Sequence, residues 1–187
     1  MTQTLSQQGS RALSELGAVF AALPDDAADS LVNTITKARR IVVYGCGREG
    51  LALKGFAMRL FHLGLDVHVL ADMTVPHLGS GDLLIVTCGT GHLPSGETFM
   101  QIAKKDGART AVITSQPTGS TPAMADTVTV LPAQTMANDQ TGTPSVLPMG
   151  SLFEIAETIF FELVILKVRD SLGETSETMR ARHTNLE

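Results

Sequence analysis

Tryptophan is missing from this chain, tyrosine occurs once, and aromatic residues make up only 4% of its 187 residues. Cations are few as well: 14 Lys and Arg stand against 19 Asp and Glu, a formal charge of −5, and no basic run is present. A nucleic-acid surface needs clustered cations and, for single strands, stacking rings, so no nucleic-acid partner is expected. Cysteine is limited to Cys46 and Cys88, each just after a strand-like run. That usage predicts no structural disulfide and fits a reducing, cytoplasmic setting. The longest apolar stretch, residues 155–166, is interrupted by Glu157 and Glu162, too short and too charged to span a bilayer. No membrane partner follows from it. The opening Met1-Thr-Gln-Thr-Leu-Ser6 has no basic segment leading into an apolar one, so no signal peptide is expected. Finally, His62, His68, His77 and His92 show no ligand spacing such as H-x-x-x-H, and no metal is expected.

What is there points to a buried sheet. Hydrophobic residues form 43% of the chain, a length best read as one domain with a sizeable core, or as a subunit that hides surface against copies of itself. The chain is organised around residues 40–50. Ile41, Val42, Val43 and Tyr44 have strand character, Gly45, Gly47 and Gly50 follow, and a helical pattern starts at Leu51. Strand, glycine turn and helix make an anion site: glycines let the backbone approach the ligand, and the helix N-terminus offers unpaired N–H groups.

Ahead of this stretch, Leu5, Leu13, Leu16, Val19, Phe20 and Leu23 fall at helical spacing. Pro24 breaks the pattern, and Asp25 is positioned to cap a second helix running to Ala38. Downstream, residues 66–72, 82–87, 109–114 and part of 125–131 read as strands, with a helix over 96–106. Strands alternating with helices predict an α/β fold, a parallel sheet with helices on both faces. Residues 132–148 carry Pro132, Pro144 and Pro148 without apolar period and read as a long ligand or interface loop. A helix opened by Pro148-Met-Gly-Ser-Leu-Phe-Glu154 and running to about Asp170 is apolar nearly all round, which means burial and, near a chain end, a subunit interface.

Two features bear on chemistry. Gly45-x-Gly47-x-x-Gly50 matches the dinucleotide fingerprint, with Asp72 where a ribose-binding acid would stand. A nicotinamide-binding protein is therefore one reading, although two helices precede the motif and no substrate domain follows. The third strand ends in Thr87-Cys-Gly-Thr-Gly-His92, and Leu93-Pro-Ser-Gly-Glu-Thr98 leads into a helix. Its glycines and hydroxyls, Thr90 and Ser95 among them, form a second anion cradle, and neighbouring cradles of a parallel sheet share one crevice.

Together, Val43-Tyr-Gly-Cys-Gly-Arg-Glu-Gly50, Lys54-Gly-Phe-Ala-Met-Arg-Leu-Phe-His-Leu-Gly64, Pro148-Met-Gly-Ser-Leu-Phe-Glu154 and Met179-Arg-Ala-Arg-His-Thr-Asn-Leu-Glu187 resemble the SIS (sugar isomerase) family, and within it the 6-phospho-3-hexuloisomerase subfamily. The resemblance runs over residues 35–187. It implies a flavodoxin-like three-layer α/β/α sandwich with a five-stranded parallel sheet, a homo-oligomer (tetramer or dimer), and a sugar phosphate as ligand, with neither metal nor cofactor. The implied reaction interconverts a 3-ketohexose 6-phosphate and fructose 6-phosphate through an enediolate. Glu154 matches the catalytic glutamate, though a first-turn glutamate also suits a helix dipole. His183 matches the C-terminal histidine, acting in its own or a neighbouring subunit's site. Arg48 and Arg59 match basic positions facing phosphate or sugar oxygens, and Gly45, Gly47, Thr87, Cys88, Thr90, Ser95 and Thr98 match the cradle positions. A sugar-phosphate-binding SIS module without catalysis remains the alternative from another class. Two departures stand out: Glu49 replaces the usual serine, where a carboxylate repels phosphate unless it points away, and the second cradle is stretched by His92-Leu-Pro94.

Overall fold

The computed structural model describes residues 3–141 and 143–186. Helix α1, Leu5–Ala21, opens with a capping box in which Thr4 and Gln7 satisfy each other's backbone N–H groups. Asp25 does not cap the next helix. Residues 25–28 instead form tight turns, Ala27 N–H to Pro24 O and Asp29 N–H to Asp26 O, and α2 begins only at Asp29 and ends at Thr36. Then come β1 (Ile41–Tyr44), α3 (Gly47–His62), β2 (Val67–Val69), β3 (Leu83–Thr87), α4 (Pro94–Lys105), β4 (Arg109–Thr114), a 3-10 turn at Pro122–Met124, β5 (Thr127–Val130), α5 (Ser151–Leu172) and α6 (Ser176–Ala181). Two boundaries differ from the pattern. Strand β2 is shorter than residues 66–72 because the chain turns away after Leu70, with Asp72 N–H bonded to Val69 O. Helix α4 starts two residues before Gly96, since Pro94 sits comfortably in a first turn that needs no N–H from it.

The five strands form one parallel sheet in the order β2-β1-β3-β4-β5. Alternate side chains leave opposite faces, so Ile41, Val43, Leu83, Ile85, Ala111 and Ile113 join the core beneath α1, α2, α3 and α5, while Val42, Leu84, Val86 and Val112 join a smaller one beneath α4. Three layers result. From β1 the chain first moves outward to β2, then crosses to β3 on the other side, so the order reverses between β1 and β3. Open parallel sheets place their ligand crevice beyond the carboxyl ends at such a reversal.

Helix α5 buries Leu152, Phe153, Ala156, Phe160, Val164 and Val168, and Phe161 stacks on Phe56 of α3 with ring centroids 4.4 Å apart. Its other side leaves Ile155, Ile159, Leu163 and Leu166 exposed, as α3 leaves Leu51, Met58 and Phe61. A helix apolar nearly all round is therefore only half covered within one chain. The loop before α5 is tied down by α1: Glu15 accepts from Val146 N–H at 3.1 Å and from the Ser145 hydroxyl. No described helix is long and apolar enough to cross a membrane.

Candidate active site

Tyr44 of β1 pairs with Val86 of β3, so the turns after these strands lie side by side at the reversal. Glycine is required there for space. A Cβ on Gly50 would stand 2.4 Å from the Gly45 carbonyl oxygen, and one on Gly45 would stand 2.5 Å from Thr87 Oγ1. The first turn of α3 thus rests directly on the end of β1 and against β3, a closeness that no side chain permits. Both cysteines are free, Cys46 exposed on the first turn and Cys88 buried on the second.

Three carboxyl groups meet at this end of the sheet. Glu154, in the first turn of α5, faces Arg48, whose Nη2 lies 2.7 Å from Glu154 Oε2. The same guanidinium donates to Ser151 Oγ at 2.7 Å and to the Met149 carbonyl at 2.9 Å. Met149 and Gly150 have positive φ of 55° and 79°, a left-handed entry that costs energy at Met149 and turns the chain sharply into α5. Arg48 thereby clamps the start of α5 to the start of α3. Its approach to Glu154 is a close ion pair, but not along a hydrogen-bonding direction of that oxygen.

Glu49 turns the other way along α3. Its Oε2 accepts the Gly89 N–H at 2.9 Å. The Thr87 hydroxyl stands near the carboxyl, and its oxygen has no hydrogen-bond partner among the described residues. Burial raises the Glu49 pKa most and the Glu154 charge adds to it, while the Gly89 amide and Thr87 oppose them; the net shift is upward. Glu157, one helical turn beyond Glu154 on the same face, is wholly buried, and among the described residues neither carboxyl oxygen has a hydrogen-bond partner. Burial, reinforced by Glu49 and Glu154, pushes its pKa well above the ordinary carboxylate value. A lone buried carboxylate is so costly that such a group takes up a proton instead. Among the described residues no cluster of His, Cys, Asp and Glu is arranged to hold a metal.

With this geometry in view, likeness to known proteins is informative. The SIS domain family profile matches residues 34–157. A Bacillus subtilis protein named 3-hexulose-6-phosphate isomerase is 35% identical over 175 residues, covering 94% of this chain and 95% of that one. This chain belongs to the SIS domain family. A Mycobacterium gastri protein of the same name is 38% identical over 157 residues, 84% of this chain and 78% of its own. A solved Methanococcus jannaschii protein, described as a structure that infers a 3-hexulose-6-phosphate isomerase function, superposes with a TM-score of 0.81 at 29% identity, covering 96% and 99% of the two chains. The five-stranded parallel α/β/α sandwich implied by the resemblance is the fold found.

Within this SIS domain, the structure gathers some of the sequence-derived site residues and separates others. Gly45, Gly47, Arg48, Thr87, Cys88, Thr90 and Glu154 lie at the carboxyl end of β1 and β3 or at the helix starts facing it. A cleft of about 140 Å³ is lined by Cys46, Glu49, Thr87, Cys88, Thr90, His92 and Leu93. Ser95, in the first turn of α4, receives the Tyr44 hydroxyl at 2.8 Å, and Thr98 donates back to the Pro94 carbonyl at 3.0 Å. His92 reaches Ser120 Oγ at 2.8 Å and Glu97 Oε1 at 3.2 Å, which pins the stretched turn to the loop after β4.

Arg59 and His183 lie at the other end of α3. Arg59 pairs with Glu162 of α5 at 3.1 Å, and the His183 ring lies 5.2 Å from that of His62, centroid to centroid. Both line a pocket with Met58, Ser176, Met179 and Arg180. His62 and Arg48 are fourteen positions apart on one helix, about 21 Å along its axis. Sequence reasoning missed Glu157, noted only as a charge breaking an apolar run. Its signal was the spacing: a glutamate three residues after Glu154, on the face that α5 buries.

Proposed function

We propose that this chain is a sugar-phosphate isomerase that interconverts a 3-ketohexose 6-phosphate and fructose 6-phosphate by enediolate proton transfer. The observation that carries the reading is Glu154: a carboxylate held by Arg48 at the start of α5, over the paired turns where the sheet order reverses. Family membership and the names of the 35% and 38% identical relatives support the substrate class. Moving a ketone between C3 and C2 requires one base that takes a proton from one carbon and returns it to the other, and a single positioned carboxylate serves both. Thr90, ahead of α4, and Ser95, in its first turn, offer hydroxyls and a helix N-terminus to the phosphate.

His183 then belongs to the site of a neighbouring copy, because within one chain it sits beside His62 at the far end of α3. The exposed apolar rows of α3 and α5 supply a surface for that assembly, a homotetramer or dimer. Free Cys46 and Cys88 suit a cytoplasmic protein. The test is proton NMR of fructose 6-phosphate with the purified protein in deuterated water. Loss of the C3 proton signal and growth of the 3-ketohexose phosphate are expected from the wild type, and a fall of at least about a hundredfold in Glu154→Gln. Binding without exchange would mark a non-catalytic SIS module.

A further inference from the structure

An enediolate isomerisation moves two protons, and Glu154 accounts for one. Going from fructose 6-phosphate, the C3–H bond breaks and its electron pair forms the C2–C3 double bond, while the C2 carbonyl pair moves onto O2. For the ketone to appear at C3, O2 must gain a proton, O3 must lose one, and C2 must receive the carbon proton. The oxygen proton needs a carrier distinct from the base that holds the carbon proton.

Glu49 stands where such a carrier would be. Its carboxyl lines the cleft with Thr87, Thr90 and His92, and Gly89 N–H fixes it through Oε2. The other oxygen, Oε1, comes within 3.0 Å of where a Gly89 side chain would begin, and the Phe153 ring, next to Glu154, comes within 2.8 Å of the same point. Glu49 and the start of α5 therefore flank Gly89 from two sides. Because Glu49 already takes the Gly89 amide, that donor is closed to a phosphate.

We propose that Glu49 is a second catalytic residue of the isomerisation, the carboxyl group that gives a proton to O2 and takes the one on O3. This rests on the isomerase reading above. Arg48 pairs with Glu154, whereas Glu49 takes the Gly89 amide and Glu157 is buried close enough to feel both carboxyls. Burial and the neighbouring Glu154 charge shift Glu49 upward, and burial with Glu49 and Glu154 shifts Glu157 upward. Glu157, sealed and without a hydrogen-bond partner among the described residues, lies outside the lining of the cleft. The step balances: Glu154 carries hydrogen from C3 to C2, Glu49 delivers one to O2 and recovers one from O3, and both end as they began.

The experiment compares carbon exchange with isomerisation in Glu49→Gln. An amide keeps a hydrogen bond to O2, so Glu154 can still remove and replace the C3 proton, but it cannot relay a proton between oxygens. In deuterated water, C3 exchange of fructose 6-phosphate should stay within about tenfold of wild type while isomerisation falls about a hundredfold. Glu49→Asp, which keeps the acid, should recover part of the loss. Parallel falls in both rates, or no fall in either, would overturn the assignment. A wild type that neither exchanges the C3 proton nor forms the 3-ketohexose phosphate would instead overturn the isomerase reading, and this inference with it.

Discussion

Arg48 Nη2 lies 2.7 Å from Glu154 Oε2, and this contact joins the first turns of two helices that start more than a hundred residues apart in the chain. The same guanidinium holds the Met149 carbonyl and the Ser151 hydroxyl, so it sets both the charge balance and the position of Glu154. Arg48→Ala should leave the fold intact but lower turnover by about a hundredfold, the scale of loss that a small misplacement of a reacting group produces. Added guanidinium ion should restore part of the activity by refilling the gap. Absence of any rescue, with turnover near that of wild type, would show that Glu154 holds its place without the clamp.

The glycine turn gives a second test, on stability. Gly50→Ala drives a methyl to 2.4 Å from the Gly45 carbonyl, where the backbone of β1 cannot yield cheaply. The expected loss is about 1–3 kcal/mol or more, as for overpacked cores. Gly47, with φ of +57°, has open space around its Cβ, so Gly47→Ala incurs only the left-handed backbone penalty, about 1–2 kcal/mol. Urea unfolding of both variants should rank Gly50→Ala as the weaker protein. The reverse order would mean that α3 does not need its tight seat on β1.

These two glycines illustrate what the sequence made legible. Strand, turn and helix around residues 41–60 follow from local spacing alone, and a parallel sheet follows from their repetition. Glu154 was visible through its match to the catalytic glutamate of the SIS isomerases, at the start of a helix after Pro148 and Gly150. Glu49 was visible only as a departure from a familiar pattern, since its role depends on Gly89, forty positions away. Glu157 was hidden for the same reason: an isolated glutamate in an apolar run reads as an interruption until α5 is packed against α3. Asp25 failed as a cap because Pro24 closes a turn of its own and delays α2 until Asp29. Local chemistry places elements; contacts distant in sequence decide which side chains become a site.

The segment that carries His183 is held by an ion pair that depends on pH. Arg182 donates to both oxygens of Glu174 at 2.8 and 2.9 Å and to the His62 carbonyl at 2.9 Å. The Arg182 and Thr178 contacts hold the Glu174 pKa down at about 2. A carboxyl depressed on folding contributes stability above its unfolded value, near 4.5, and that contribution is lost as pH falls toward about 2. Glu174→Gln should therefore loosen residues 174–183 at neutral pH as acid does in the wild type. Limited proteolysis should cut this segment faster in the variant at pH 7, with the difference vanishing near pH 2. Equal cutting at pH 7 would show that α6 and its capping box suffice to hold the tail.

Glu157 should make the protein less stable as pH rises. Its folded pKa lies well above the unfolded value of 4.5, so the native state binds more protons than the unfolded chain between those two values. Below about pH 4.5 the group is protonated in both states and contributes no pH dependence. As pH climbs past that point the unfolded chain gains a solvated carboxylate, while the native state must keep its proton or bury a charge. Glu157→Gln removes the proton requirement while keeping the size and shape of the side chain. Measured as thermal midpoints from pH 4 to pH 8, the variant's stability relative to wild type should therefore increase steadily with pH. A difference that stays flat across that range would mean that Glu157 is ionised in the folded protein, with a partner outside the single chain.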